Sequence, residues 1–241
     1  MEERLDRRDC RLLLGCLVVA ALSLAVGIPN FYRAFPEASI DFAITREEAR
    51  DQALAFLVGR GLPTDSYHHS AAFKYDAQAK TFLERELGLE GATALIGHPV
   101  RLWRWSNRWT RELQKEELQV ELTTTGELVG FTHLIEEESP GARLSPEEAR
   151  HLAEGFLAAL QRDSGTLEFV EVQTLDRPGR TDYSFTWKLA GFEVKDATYR
   201  LSVGIQGDQV GSYAESLKVP EAWQRDYQQL RSANEATGQV A

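Results

Sequence analysis

Apolar positions fall into three regimes along the chain. From Leu12 to Ile28 the stretch LLLGCLVVAALSLAVGI carries no charge, and its length approaches a bilayer span. From Ile44 onward, apolar residues recur at helical spacing in two places a hundred positions apart. These are Ala49, Ala53, Phe56 and Leu57 in ITREEARDQALAFL, and Ala149, Ala153, Phe156 and Leu157 in LSPEEARHLAEGFL. Elsewhere alternation of period two takes over: Leu118, Val120 and Leu122 ahead of GELVGF, then Tyr199, Leu201, Val203 and Ile205 ahead of GDQVGSY. The first spacing predicts two amphipathic helices, each with one buried stripe. The second predicts two antiparallel hairpins around Gly turns, each burying one face.

Local chemistry fixes where these helices start. Thr45 and Ser145 each stand three residues before a glutamate, Glu48 and Glu148, which is the capping-box spacing. Ile44 and Leu144 are placed to close a hydrophobic staple, and Pro146 takes a first-turn position where its missing N–H costs nothing. The four capping residues read as helix caps rather than catalytic groups. A further strand precedes each hairpin, through Trp103 and Trp105 in one half and through Tyr183, Phe185 and Trp187 in the other. Strands are also expected over 67–75 and through Leu167, Phe169 and Val172. The helix DAQAKTFLERELG should stop at Gly88, with a shorter helix ending at Gly97. The body is therefore α+β, written twice: a helix-plus-meander unit over 44–139 and another over 144–219. The polar stretch 136–143 joins them. Residues 220–241 form a last amphipathic helix, with Trp223, Tyr227 and Leu230 on one side, and a tail.

Charge and cysteine usage narrow the setting. The formal net charge is −10, and residues 1–11 sum to zero, so the acidity belongs to the remainder. An acidic body without a Lys/Arg stripe argues against nucleic acid as partner. Cys10 and Cys16 both lie at the N-terminus, so the body holds neither a disulfide nor a cysteine nucleophile. Four arginines precede the apolar run and only Arg33 follows closely, which places a cytoplasmic tail at 1–11, a transmembrane anchor at 12–28, and a connector at 29–43 leading outward. A cleaved signal peptide is the alternative. A retained anchor is favoured because the run is long and no Ala-x-Ala site follows it. The expected location is a cell membrane, with the N-terminus cytoplasmic and the body extracytoplasmic.

The search for chemistry is negative. The sequence holds no nucleophile elbow, phosphate-cradling Gly loop or His-Glu-x-x-His. His68 and His69 are adjacent and point to opposite faces of a strand, while His98, His133 and His151 are scattered. Trp103, Trp105, Trp109 and Trp187 are the candidate binding surface, set against the commoner use of strand aromatics as core. Glu117 or Asp182 is the candidate base in an enzymatic reading. No catalytic residue, metal ligand or cofactor is assigned.

One resemblance runs through the body. The phrases ITREEARDQALAFL, FLERELGLE, RLWRWSNRW, LQKEELQVEL, GELVGFTH, LSPEEARHLAEGFL, RTDYSFTWK and VGSYAESLKVPEAWQRDYQQLRSAN follow one another in order. Over roughly Pro29 to Asn234 they resemble the N-terminal extracytoplasmic region of bacterial intramembrane metalloproteases of the CAAX protease and bacteriocin-processing (CPBP, or Abi) family. The units are also similar to PepSY modules. In that family the protease is a following multi-helix membrane domain, whose site resembles Glu-Glu-x-x-x-Arg, Phe-x-x-x-His and His-x-x-x-Asn/Asp around a metal. Neither histidine motif occurs here. Glu2, Glu3 and Arg7 spell the first motif, but within a polar tail with no histidine nearby, so no family catalytic residue is carried over. The resemblance implies a membrane-anchored, non-catalytic binding or regulatory region, without the protease domain or its metal in this chain. Its partner would be a peptide or protein substrate, or a peptidase. The alternative is a free-standing PepSY-like protein that binds peptides or inhibits a peptidase.

Overall fold

The computed structural model describes residues 6–34, 40–62, 64–162 and 164–238. Parts of the expected tail 1–11, of the connector 29–43 and of the segment 220–241 lie outside them, including Glu2 and Glu3. The chain divides into two compact units, Met1–Ile40 and Asp41–Ala241.

The first unit holds helix α1 (Arg7–Ala34). Among the described residues it is the one helix long and apolar enough to cross a membrane, and its large apolar side chains are exposed along their length. It runs past the apolar stretch and through Pro29. Proline has no N–H to give the preceding turn; beside it, Asn30 Nδ2 donates to the Val26 carbonyl at 2.9 Å.

The second unit contains α2 (Arg46–Gly59), β1 (His68–Tyr75), α3 (Ala77–Leu95), β2 (Trp103–Thr110), β3 (Glu117–Thr123), β4 (Leu128–Leu134), α4 (Pro146–Ala159), β5 (Leu167–Asp176), β6 (Thr181–Leu189), β7 (Thr198–Gln206), β8 (Gln209–Lys218) and α5 (Glu221–Gly238). The strands make one antiparallel sheet in the order β1-β2-β3-β4-β8-β7-β6-β5. Each run of four strands is a meander, and the two meet only through β4 and β8. That seam has three residue pairs: Gly130 with Ala214, Phe131 with Tyr213, and Thr132 with Ser212. The free edges are β1 and β5.

Both repeated helices lie on one face of this sheet. Phe131 and Tyr213 are direct partners across the seam, so their side chains point the same way. Phe56 of α2 packs on Phe131 at 5.1 Å between ring centroids, and Phe156 of α4 packs on Tyr213 at 5.5 Å. One continuous core results, running from Leu118 and Val120 to Tyr199 and Val203. Each half also ties its helix entrance to the sheet: Trp105 Nε1 donates to the Ile44 carbonyl at 3.2 Å, and Tyr183 Oη to the Leu144 carbonyl at 2.8 Å.

Both capping boxes form. The Glu48 N–H donates to Thr45 Oγ1 at 3.2 Å and the Thr45 N–H to Glu48 Oε2 at 2.8 Å; Ser145 and Glu148 repeat this at 3.3 and 2.8 Å. These backbone donations hold both glutamates below the usual carboxylate range. The expected stop at Gly88 is a break inside α3, with φ at 72°, a region open to glycine. Gly207 also has positive φ, and a Cβ there would meet the Ala142 nitrogen at 2.8 Å. The junction 136–143 is thus pressed against the second hairpin. Buried Arg180 holds it further, donating to the Ser139 carbonyl at 2.7 Å and the Glu136 carbonyl at 3.1 Å.

Arginines reinforce the short seam. Arg60, just after α2, donates to the Val210 carbonyl at 3.2 Å, and Arg162, just after α4, donates to the Leu128 carbonyl at 3.3 Å. Leu128 and Val210 hold matching places, each beside the bulge of its hairpin. Each half therefore sends a guanidinium to the same carbonyl of the other. Arg104 adds a donation to the Glu215 carbonyl at 2.6 Å, where β8 has run past its pairing with β4.

Candidate functional site

The tryptophans named as the candidate surface, against the commoner reading as core, mostly fill the core. Trp103, Trp109 and Trp187 are 8%, 3% and 4% exposed, and Trp105 is half-buried against the same cluster. They sit on the helix-covered face, where β2 and β6 lie next to the outermost strands. Exposed aromatic surface belongs to their neighbours: Phe42 and Tyr75 pack at a tilt against Trp105 and Trp103, at 5.9 and 5.4 Å between ring centroids. The two candidate bases are occupied. Glu117 pairs with Arg108 across the β2–β3 ladder, and Asp182 pairs with Arg180 at 2.8 Å and Arg177 at 3.4 Å. Thr45, Glu48, Ser145 and Glu148 act as caps. Among the described residues no group of three His, Cys, Asp or Glu side chains is placed to hold a metal.

A groove of about 530 Å³ opens where α4 stops short of covering β5. Leu157 and Ala158 of α4 form one wall, Leu167 and Phe169 of β5 the other, and Trp187 of β6 lies between them. Arg150 crosses the mouth, its guanidinium 4.5 Å over the Phe169 ring and 2.8 Å from Glu154. Cation–π contact and ion pair together set the groove's outer wall. Its outer strand is exposed along almost its whole length: Phe169 is 41%, Val172 41% and Leu175 49% exposed.

The inner end of the groove is fixed by charge. Arg162 lines it and reaches back to Glu215, which is fully buried, at 2.7 Å. Arg101 meets the same carboxylate at 3.1 Å, and the Tyr199 hydroxyl donates to it at 2.7 Å. The Tyr213 hydroxyl donates to its other oxygen. Exposed Glu127 closes the set, 2.7 Å from Arg101. Burial alone would pull both guanidinium pKa values down, yet Glu215 drives them above the ordinary arginine value. Burial and then the Glu215 charge push both phenols well above theirs. This buried network ties Arg101 and Glu127 of the first half to Arg162, Tyr199, Tyr213 and Glu215 of the second. Sequence reasoning missed it, although one signal was available. In the alternation Tyr213, Glu215, Leu217 an acid occupies an inward position, and an inward acid needs partners.

A second, smaller hollow of about 350 Å³ lies by Tyr67, Arg111 and Glu116. His133 Nε2 is 2.9 Å from the Glu116 carboxylate, Arg111 pairs with it, and Arg111 sits 4.4 Å over the Tyr67 ring. Burial would raise the Glu116 pKa, but hydrogen bonds from His133 and Tyr67 bring it below its ordinary value. No hydroxyl or thiol nucleophile lines this hollow apart from Ser66 and the engaged Tyr67.

Residues 99–214, just under half the chain, match the family model of the YcdB, YcdC repeated domain (DUF4901). Over that stretch the chain is similar to this domain. The match opens before β2 and runs through α4 into β8, so it takes in the seam and every residue of the groove. No curated protein and no solved structure matches.

Proposed function

We propose that this chain is a membrane-anchored binding module whose groove beside β5 engages a polypeptide outside the cytoplasm. The observation that carries the reading is the groove itself, with exposed Phe169 in its wall and exposed Val172 continuing the same side of the open β5 edge. Contiguous exposed apolar surface rimmed by charge marks interaction sites in soluble domains. Helix α1, apolar along its middle and flanked by arginines at its N-terminal end, supports retention in a membrane with the tail inside. The phrase-by-phrase resemblance set out above supports a finer version, in which the module presents substrate to, or regulates, a CPBP-type intramembrane metalloprotease. The PepSY-like alternative, a free-standing peptide binder, would use the same groove.

The test is co-purification from solubilised membranes. The full chain is expressed with a tagged CPBP metalloprotease of the same cell, and substrate cleavage is followed with and without the chain. Reciprocal recovery of both proteins and a changed cleavage rate are expected. Absence of both would refute the protease-linked version.

A further inference from the structure

β5 is a free edge with two distinct rows of side chains. Phe169, Val172 and Thr174 lie on the groove side, opposite Trp187, Phe185 and Tyr183 of β6. Glu168, Glu171 and Gln173 lie on the other face, opposite Lys188, Thr186 and Ser184. We propose that the β5 edge and its groove dock an extended polypeptide segment as an added strand. Apolar residues of the segment would lie beside Phe169 and Val172, and Lys or Arg residues beside Glu168 and Glu171. This rests on the binding reading above and names its ligand.

Three features select that occupant. The outward N–H and C=O groups of an edge strand are met by another extended backbone, which a compact small molecule does not supply. The groove floor and the groove side of the edge are apolar through Leu157, Leu167, Phe169 and Trp187, with Arg150 and Arg162 at the margins, so segment residues beside Leu167, Phe169 and Val172 have apolar neighbours. Charge decides the remaining residues. β5 carries Glu168, Glu171 and Asp176 and no basic residue. Lys188 neutralises Glu168 at 3.0 Å, whereas Glu171 is exposed and has no ion pair among the described residues. A second copy of β5 would bring two acidic rows together, and like charges across a ladder are destabilising. The bulge between Phe169 and Glu171 also bends the edge, a device that discourages indiscriminate pairing. A basic-apolar alternating segment meets every one of these conditions, and a second copy fails the charge condition.

The test uses the full chain in detergent and fluorescein-labelled ten-residue peptides. One alternates valine and lysine, one alternates valine and glutamate, and a third is the valine–lysine peptide with every second amide N-methylated. Saturable binding of the valine–lysine peptide is expected, with the other two at least about tenfold weaker. The N-methylated peptide keeps the charge, so it also controls for capture by the micelle. Glu171→Lys, on an exposed side chain, should weaken valine–lysine binding about tenfold, while Glu221→Lys on α5 leaves it unchanged. Equal binding of the N-methylated peptide, indifference to Glu171→Lys, or no binding at all overturns the inference. If the valine–lysine peptide fails while co-purification with the protease persists, the docking inference falls and the broader binding role stands.

Discussion

Glu215 shows how much one side chain can be asked to organise. A buried carboxylate is costly unless paired and fully hydrogen-bonded. Here two guanidiniums and two phenols satisfy it. Removing it would leave the largely buried Arg101 and Arg162 with only exposed Glu127 as counter-ion. Glu215→Ala should therefore lose about 3–5 kcal/mol of stability, the usual cost of breaking a buried pair from one side. Ser216→Ala, on the exposed neighbour, should lose nothing measurable; chemical denaturation of both variants checks this. The phenols give a second handle. Because the folded pKa values of Tyr199 and Tyr213 are raised, their contribution is complete below the ordinary value of 10.0 and is lost as pH rises above it. In an alkaline titration followed by phenolate absorbance, two of the seven tyrosines should ionise only with unfolding. Little of this was legible in the sequence, because Arg101, Glu127 and Arg162 come from segments far apart and each reads locally as a solvated charge.

At the level of elements the sequence was far more informative. Capping boxes, Gly turns and alternation are short-range devices, so α2, α4 and both hairpins stand where their residues place them. The caps make a clean prediction. Ser145→Ala should cost about 1 kcal/mol by loss of the N-cap bond. Since the folded pKa of Glu148 lies below its ordinary 4.5, its share of the cap is present above that value and fades as pH falls through the folded one. A double-mutant cycle of Ser145→Ala with Glu148→Gln should show coupling at neutral pH and none once Glu148 is protonated; thermal denaturation at several pH values measures it. One element departed from expectation. The first helix continues through Pro29 to Ala34, beyond the apolar run that marked it. The rings of β2 took the commoner placement for strand aromatics, on the face that α2 covers.

For the whole molecule, a duplicated helix-plus-meander pattern was visible as a repeated phrase, but how the copies combine was not. The seam of β4 and β8 joins residues eighty or more positions apart through three pairs, and no local signal specifies such a pairing. The reciprocal arginines, Arg60 to Val210 and Arg162 to Leu128, became meaningful only once both carbonyls were placed. The same arrangement leaves β5 as an outer edge, with a groove whose inner wall is held by the buried charge network. On this account the body is a rigid platform whose β5 edge takes a partner strand. Hydrogen–deuterium exchange on the full chain, with and without the valine–lysine peptide, tests this most directly. Slowed exchange confined to the amides of residues 167–176 is the predicted result, and protection that leaves β5 unchanged or appears elsewhere on the sheet would contradict it.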